Sequence, residues 1–244
     1  MKEAFIFSLI QGLTEFLPIS SSGHLFLAKR ILQVKSESLP FFIYLHLATL
    51  LAILVYLHKE IISYIQDRKV LINLTITSLV TLSLACLIMI TVQIYFEKKI
   101  LIAIGFLFTS LILLLFKKGG KKLIKELSVK ECILIGALQG LAVLPGISRS
   151  GVTIAGSLGR GLNKKEAFNF SFLLAIPVTL VAFLVKANNL SQYKLDGFPL
   201  IFSFILTFLV GVGSLSILRK FLEESKLYKF GYYCLILAVL IVFL

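Results

Sequence analysis

Long apolar runs separated by short cationic loops dominate the chain from end to end. Six of them, residues 39–57, 70–96, 100–116, 167–185, 198–218 and 228–244, are long enough, alone or with tilt and flanking residues, to cross a bilayer as helices. Four others are too short: residues 3–17 and 24–33 flank one break rich in Pro, Gly and Ser, and residues 132–144 and 151–161 flank a second. A short apolar helix, a break and another short helix predict a re-entrant hairpin. Irregular backbone is tolerated at membrane depth only where it is buried in protein or lines a polar cavity.

The two breaks are copies of one segment. Q-G-L-T-E-F-L-P-I-S-S-S-G-H at Gln11 to His24 returns 128 residues later as Q-G-L-A-V-L-P-G-I-S-R-S-G-V at Gln139 to Val152, without a gap and with seven of fourteen positions identical. Each half, about 1–128 and 129–244, reads as one hairpin followed by three crossings. Three is odd, so the second half enters from the opposite side. The expectation is an all-α integral membrane protein: six transmembrane helices plus two re-entrant helix hairpins arranged as an inverted-topology repeat. Residues 1–244 form a single membrane domain, with the hairpin tips meeting near the midplane.

Composition supports the membrane reading. With 58% hydrophobic and 15% charged residues, the chain cannot present an ordinary soluble surface. A net charge of +13 raises nucleic acid as a partner, but the Lys and Arg residues are scattered through short loops between spans. That distribution suits loops facing anionic lipid, so membrane lipids are expected as partners and nucleic acid is not. The side holding the N-terminus receives eight cations (Lys2, Lys29, Arg30, Lys35, Lys98, Lys99, Lys186 and Lys194) and the other side sixteen, from Lys59 through Lys229. The richer side should be cytoplasmic, with both termini outside. Cys86, Cys132 and Cys234 lie in apolar segments, are odd in number and lack CxxC spacing, so they read as filler rather than a disulfide or metal framework. The opening M-K-E-A-F-I-F-S-L-I-Q-G has no cationic leader followed by an A-x-A cleavage site and is expected to be retained. Asn163 with Glu166 predicts a capping box opening the fourth span, and Pro177 a kink within it.

Two charged residues fall at membrane depth. Arg149 sits inside the second break, and Glu15 lies well inside an apolar segment. Buried alone, either is costly, so the facing hairpins should bring them near each other or near a charged ligand; a structural ion pair is the plainer reading. The neighbouring residues favour a ligand. Ser20, Ser21, Ser22 and His24 stand at one helix start and Ser148, Arg149, Ser150 and Thr153 at the other. Together they offer hydroxyls, unpaired helix-start N–H groups and a guanidinium suited to bidentate phosphate binding, which specifies an oxyanion site, phosphate first.

A carboxylate beside phosphate opposes binding, so Glu15 points to chemistry or a metal. It is a candidate general base, a group that orients a hydroxyl or His24, or a ligand to a divalent cation, with Gln11 one helical turn earlier offering an amide oxygen. His24, four residues after Ser20 and three after Ser21, is a candidate base or nucleophile for phosphoryl transfer. His46, in the middle of the first crossing, and His58, at its end, read as packing or interfacial residues.

In these two segments the chain resembles a known family, the bacterial undecaprenyl-diphosphatase or bacitracin-resistance protein family. The fingerprints are a Glu-or-Gln-x-x-x-E segment running into a Ser-rich G-H, here from Gln11, and P-G-x-S-R-S-x-x-T, here P-G-I-S-R-S-G-V-T from Pro145. The resemblance implies an integral membrane enzyme that hydrolyses undecaprenyl diphosphate to undecaprenyl phosphate and inorganic phosphate. Such an enzyme recycles the lipid carrier of cell-wall synthesis and confers bacitracin resistance. It implies a multi-pass protein of the bacterial cytoplasmic (inner) membrane with an active site opening to the outer face, and a divalent cation, Mg or Ca.

By motif position the resemblance puts Glu15, Ser21, His24 and Arg149 in the catalytic set, with Ser21 a proposed nucleophile, and Ser148, Arg149 and Thr153 on the diphosphate. Ser20, Ser22 and Ser150 join these as candidate diphosphate ligands. Glu15 and Gln11 are the candidate metal ligands, although Gln11 is the amide alternative to Glu and leaves one carboxylate where two would serve a metal better. Attack by Ser21, by His24 or by water all stay open, and so does a homodimer.

A polyprenyl-phosphate transporter or flippase with the same inverted-repeat architecture is the main alternative. The type-2 lipid phosphatases, with P-S-G-H and S-R-x5-H motifs, are set aside: Ser21 stands where their Pro would be, and Ala155 where their second His is required.

Overall fold

The computed structural model describes residues 2–34, 39–96, 98–115, 119–186 and 197–243. These residues form eleven α-helices: α1 (Lys2–Thr14), α2 (Ser21–Ile31), α3 (Leu39–Tyr56), α4 (His58–Ile65), α5 (Arg68–Val92), α6 (Lys99–Leu115), α7 (Val129–Leu141), α8 (Arg149–Gly159), α9 (Lys164–Lys186), α10 (Gly197–Glu223) and α11 (Tyr228–Phe243). The predicted apolar runs correspond to α3, α5, α6, α9, α10 and α11, and the four short ones to α1, α2, α7 and α8. Of the cations counted for orientation, Lys35, Lys117, Lys118 and Lys194 lie outside the described residues.

By length and composition, α5 with its following 3-10 turn (Arg68–Tyr95), α9 and α10 can each cross a membrane. The bent pair α3–α4 makes a fourth candidate, while α6 and α11 are shorter apolar helices. The polar groups turn inward, with Thr77, Thr81, Thr109, Ser110, Ser203 and Thr207 buried, while Leu184, Phe198 and Phe243 stand exposed. This is the arrangement of a protein surrounded by lipid: the hydroxyls of Thr77, Thr81, Thr109 and Thr207 bond backbone carbonyls, and the apolar surface needs no cover.

Helix α4 is absent from the sequence reading, which ended the first span at residue 57. The chain bends by 75° there and continues as a short helix, H-K-E-I-I-S-Y-I, with Ile62 and Ile65 exposed beside Lys59 and Glu60. Such a mixed face fits the membrane–water boundary rather than a crossing. The predicted capping box at Asn163 is half formed. Asn163 Oδ1 accepts from the Glu166 N–H at 2.9 Å, but the Glu166 carboxylate accepts instead from the Tyr64 hydroxyl of α4 at 2.5 Å and from the Ile124 N–H at 2.8 Å. A tertiary partner that propensity cannot see takes the carboxylate. Helix α9 runs continuously through Pro177.

Packing repeats between the halves. Helix α1 packs on α10 and α7 on α5, while α6 packs on α11 and α3 on α9. The Thr207 hydroxyl donates to the Ser8 carbonyl at 3.2 Å, and the Thr81 hydroxyl donates to the Gly136 carbonyl at 3.1 Å. Ser8 and Gly136 are separated by the same 128 residues and lie just ahead of the two copies of the repeated segment, so equivalent positions of the halves make the same kind of contact.

Candidate active site

Both breaks end in a serine cap. Helix α1 ends at Thr14, and Ser20, at φ 66°, caps α2 by accepting from the Gly23 N–H at 3.4 Å. Helix α7 ends at Leu141, the chain turns through Gly146 at φ 92°, and Ser148 caps α8 by accepting from the Gly151 N–H at 3.2 Å. The two turns touch directly. The Gly146 N–H donates to Ser20 Oγ at 3.1 Å, and Ser150 Oγ donates to the Leu17 carbonyl at 3.4 Å.

Each turn is held by a helix from the other half. Thr109 of α6 bonds the Gly146 carbonyl at 2.9 Å and accepts from the Ser148 N–H at 2.9 Å. Cys234 of α11 lies 3.8 Å from the Pro18 carbonyl.

Where the turns meet, Glu15 and Arg149 form an ion pair, Arg149 Nη2 to Glu15 Oε1 at 2.6 Å, with both side chains mostly buried. The other carboxylate oxygen, Oε2, accepts from the Ser21 hydroxyl at 2.6 Å and from Gln11 Nε2 at 3.0 Å. His46 Nε2 stands 3.5 Å from the same oxygen, while its Nδ1 donates to the Phe42 carbonyl at 2.7 Å. Two buried atoms of this site have no hydrogen-bond partner among the described residues: Arg149 Nη1 and Gln11 Oε1. An unsatisfied guanidinium N–H in a dry interior costs about 1–3 kcal/mol or more, and an incoming oxyanion satisfies it.

The predicted hydroxyls divide into two groups. Ser21 and Ser22 remain partly or fully accessible. Ser20, Ser148, Ser150 and Thr153 are buried. Ser148 and Ser150 lie 3.2 Å apart, and Thr153 donates to the Arg149 carbonyl or bonds Ser171 at 2.5 Å. Ser20 and Ser150 join the two turns, Ser148 caps α8, and Thr153 ties α8 to Ser171 of α9. His24 is joined neither to Glu15 nor to Arg149: its ring nitrogens meet the Ser20 carbonyl at 2.7 Å and the Tyr233 hydroxyl at 2.8 Å.

A family model for the bacitracin resistance protein BacA matches residues 4–240. The chain belongs to the bacitracin resistance protein BacA family. Within that family it is 37% identical to an undecaprenyl-diphosphatase of Carboxydothermus hydrogenoformans, over 99% of this chain and 96% of the relative. It is 39% identical to an undecaprenyl-diphosphatase of Thermosipho melanesiensis, covering 96% and 95%. It is 34% identical to undecaprenyl-diphosphatase 2 of Halalkalibacterium halodurans, covering 99% and 95%.

In this BacA family chain, two neighbours of the catalytic candidates escaped the sequence reading. The sequence alone gives His46 a packing or interfacial role, yet it closes one side of Glu15; an imidazole in the middle of an apolar run is itself the signal, since such groups are kept at depth for function. Replacing His46 by Ala is expected to lower turnover about tenfold with the fold intact, because Glu15 loses one of its polar neighbours and keeps Arg149, Ser21 and Gln11. Phosphate release and thermal unfolding of the variant check this together. Tyr233 had no marker in sequence; only the fold brings α11 to α2.

For a divalent cation, the donor set fits shared rather than enclosed binding. Among the described residues no three of His, Cys, Asp and Glu come together. Glu15 supplies one carboxylate, and Gln11, whose Nε2 bonds that carboxylate, has a buried and unpartnered Oε1 to add; one carboxylate suits Mg held jointly with substrate phosphates.

Proposed function

We propose that this chain hydrolyses undecaprenyl diphosphate to undecaprenyl phosphate and inorganic phosphate, recycling the lipid carrier for cell-wall synthesis and conferring bacitracin resistance. One observation supports this above the others. A carboxylate from one turn and a guanidinium from the other meet beside an accessible serine, and the guanidinium keeps a free donor.

Arg149 and the helix-start N–H groups of α2 and α8 neutralise the diphosphate, and positioning supplies much of the rate. Ser21 Oγ bonds to the terminal phosphorus as Glu15 Oε2 takes its proton, and the bond from that phosphorus to the bridging oxygen breaks. The prenyl monophosphate leaves and Ser21 is phosphorylated. His24 then accepts a proton from the water that attacks the phosphoserine phosphorus, the bond from that phosphorus to Ser21 Oγ breaks, Glu15 returns its proton to Oγ, and phosphate leaves. Trapping labelled phosphate on Ser21 supports this order; a wild-type enzyme that never carries the label has water attacking directly.

Glu15 and Gln11 would hold a divalent cation, Mg or Ca, which supplies charge neutralisation on the phosphate oxygens. Removing divalent ions with EDTA should reduce phosphate release by at least about tenfold, with recovery on adding back Mg or Ca. Activity indifferent to EDTA removes the cation from the scheme.

The repeated packing of α1 on α10 and α7 on α5, with matched threonine bonds, supports an inverted-topology repeat of halves about 1–128 and 129–244. In that arrangement α1–α2 and α7–α8 are re-entrant hairpins and α3, α5, α6, α9, α10 and α11 are the six crossings. The protein lies in the bacterial inner membrane with the site open to the outer face and both termini outside. A homodimer is an accessible assembly whose test is the mass of the detergent-solubilised protein.

The deciding assay is phosphate release from a long-chain prenyl diphosphate by purified protein in detergent. Inert wild-type protein, with lipid translocation in vesicles, would replace the hydrolase by the flippase.

A further inference from the structure

His24 is held through both ring nitrogens. Nδ1 lies 2.7 Å from the Ser20 carbonyl oxygen, and a carbonyl only accepts, so the proton of the neutral ring sits on Nδ1. Nε2 is then the lone-pair nitrogen. The Tyr233 hydroxyl of α11, 209 residues distant in sequence, stands 2.8 Å from it and is the donor. The two rings stack with an interplanar angle of 3° and centroids 5.7 Å apart, while Phe106 meets the imidazole edge-on at 5.5 Å. Phe106 is fully buried and Tyr233 is 41% exposed, so the imidazole is braced on its inner side and capped by a residue with room to move.

We infer that Tyr233 is a positioning residue for His24. The Ser20 carbonyl sets the tautomer with Nδ1 protonated; the Tyr233 hydroxyl holds the lone pair of Nε2, and its ring fixes the plane of the imidazole. Displacement of that hydroxyl presents Nε2 as a ready acceptor for the proton of the hydrolytic water. The same bond ties α11 of the second half to the first helix pair, next to the contact of Cys234 with Pro18. The inference rests on His24 being the acceptor in phosphate release. A tyrosine that merely found a partner for its phenol would need no aromatic stack and no tautomer fixed from the opposite side of the ring.

Tyr233→Phe keeps the stacking ring and removes the hydroxyl. Turnover is expected to fall roughly tenfold, part of the roughly 10²- to 10⁴-fold that a general acid–base group contributes, with KM changed by less than about twofold. His24→Ala should be slower still, and the double variant no slower than His24→Ala alone, because Tyr233 acts only through His24. In protein carrying ¹⁵N-histidine, the His24 Nε2 resonance should move in Tyr233→Phe.

Two results overturn the role of Tyr233 while leaving His24 in place: wild-type turnover in Tyr233→Phe, or losses that multiply in the double variant. An unmoved Nε2 resonance overturns the hydrogen bond itself. Full activity in His24→Ala removes the assignment of His24, and the role of Tyr233 falls with it.

Discussion

Arg149→Ala should lose about 10³-fold or more in phosphate release, the scale on which an arginine that stabilises a transferring phosphoryl group acts. Arg149 holds Glu15 at 2.6 Å through one terminal nitrogen and offers the other, buried and unpartnered, to the substrate. Arg149→Lys should rescue little, because an ammonium cannot serve both directions with a planar fork. The single Arg149→Ala change also leaves the Glu15 carboxylate buried without its cation, a situation that costs about 3–5 kcal/mol.

The double variant Arg149→Ala with Glu15→Ala separates the two roles. Removing both charges should restore most of the thermal stability, since no uncompensated ion remains. Phosphate release should stay lost. Recovery of activity along with stability would make the pair a structural clasp and nothing more. Thermal unfolding in detergent and phosphate release on the same preparation give the answer.

Gly105→Ala should abolish activity without altering any residue assigned to catalysis. A Cβ at Gly105 would fall 2.3 Å from the Pro145 carbonyl oxygen and 2.9 Å from Gly146 carbon atoms. The obstacle is backbone, and that backbone already carries the sharp turn at Gly146, where φ is 92°. Helix α6 must therefore move away from the second turn, opening the Thr109 bonds to the Gly146 carbonyl and Ser148 N–H. Overpacking of this kind costs about 1–3 kcal/mol, and each buried group left unbonded costs about 1–3 kcal/mol more. Arg149 begins the helix that Ser148 caps, so it is displaced with the turn. Gly213→Ala is the matched control: nothing lies within 4 Å of its Cβ position, and helix propensity predicts a change of no more than about 1 kcal/mol, toward greater stability. A Gly105→Ala protein with wild-type melting and turnover would show that the turn is softer than its contacts imply.

The long helices were legible as continuous apolar runs, which gave α3, α5, α6, α9, α10 and α11 within a few residues, because a helix in an apolar setting satisfies its own backbone. The short helices were legible from Pro18, Pro145 and the serine caps. The pairing of Glu15 with Arg149 followed from the cost of leaving either alone. What stayed hidden depends on residues distant in sequence. Glu166 has a local partner in Asn163, but its carboxylate turns to Tyr64 of α4, 102 residues away. His46 carries no motif, and its place beside Glu15 appears only when α3 lies against α1. Among the six hydroxyls of the two breaks the motif singles out Ser21; burial adds that Ser21 and Ser22 stay accessible while Ser20, Ser148, Ser150 and Thr153 do not.

The exchange of supports between the halves bears on how the protein is made. The first turn leans on α11 through Cys234 and Tyr233, and α1 is bound by Thr207 of α10, 199 residues downstream of Ser8. During synthesis the Glu15 side of the site therefore emerges about two hundred residues before its supports, and a carboxylate without its cation waits in the bilayer or at the translocon until α8 arrives. A nascent chain stalled before α10 has the Glu15 and Arg149 partners in place and still lacks the Thr207 bond to α1 and the Tyr233 and Cys234 contacts. The braced form of the site then waits on the last two helices.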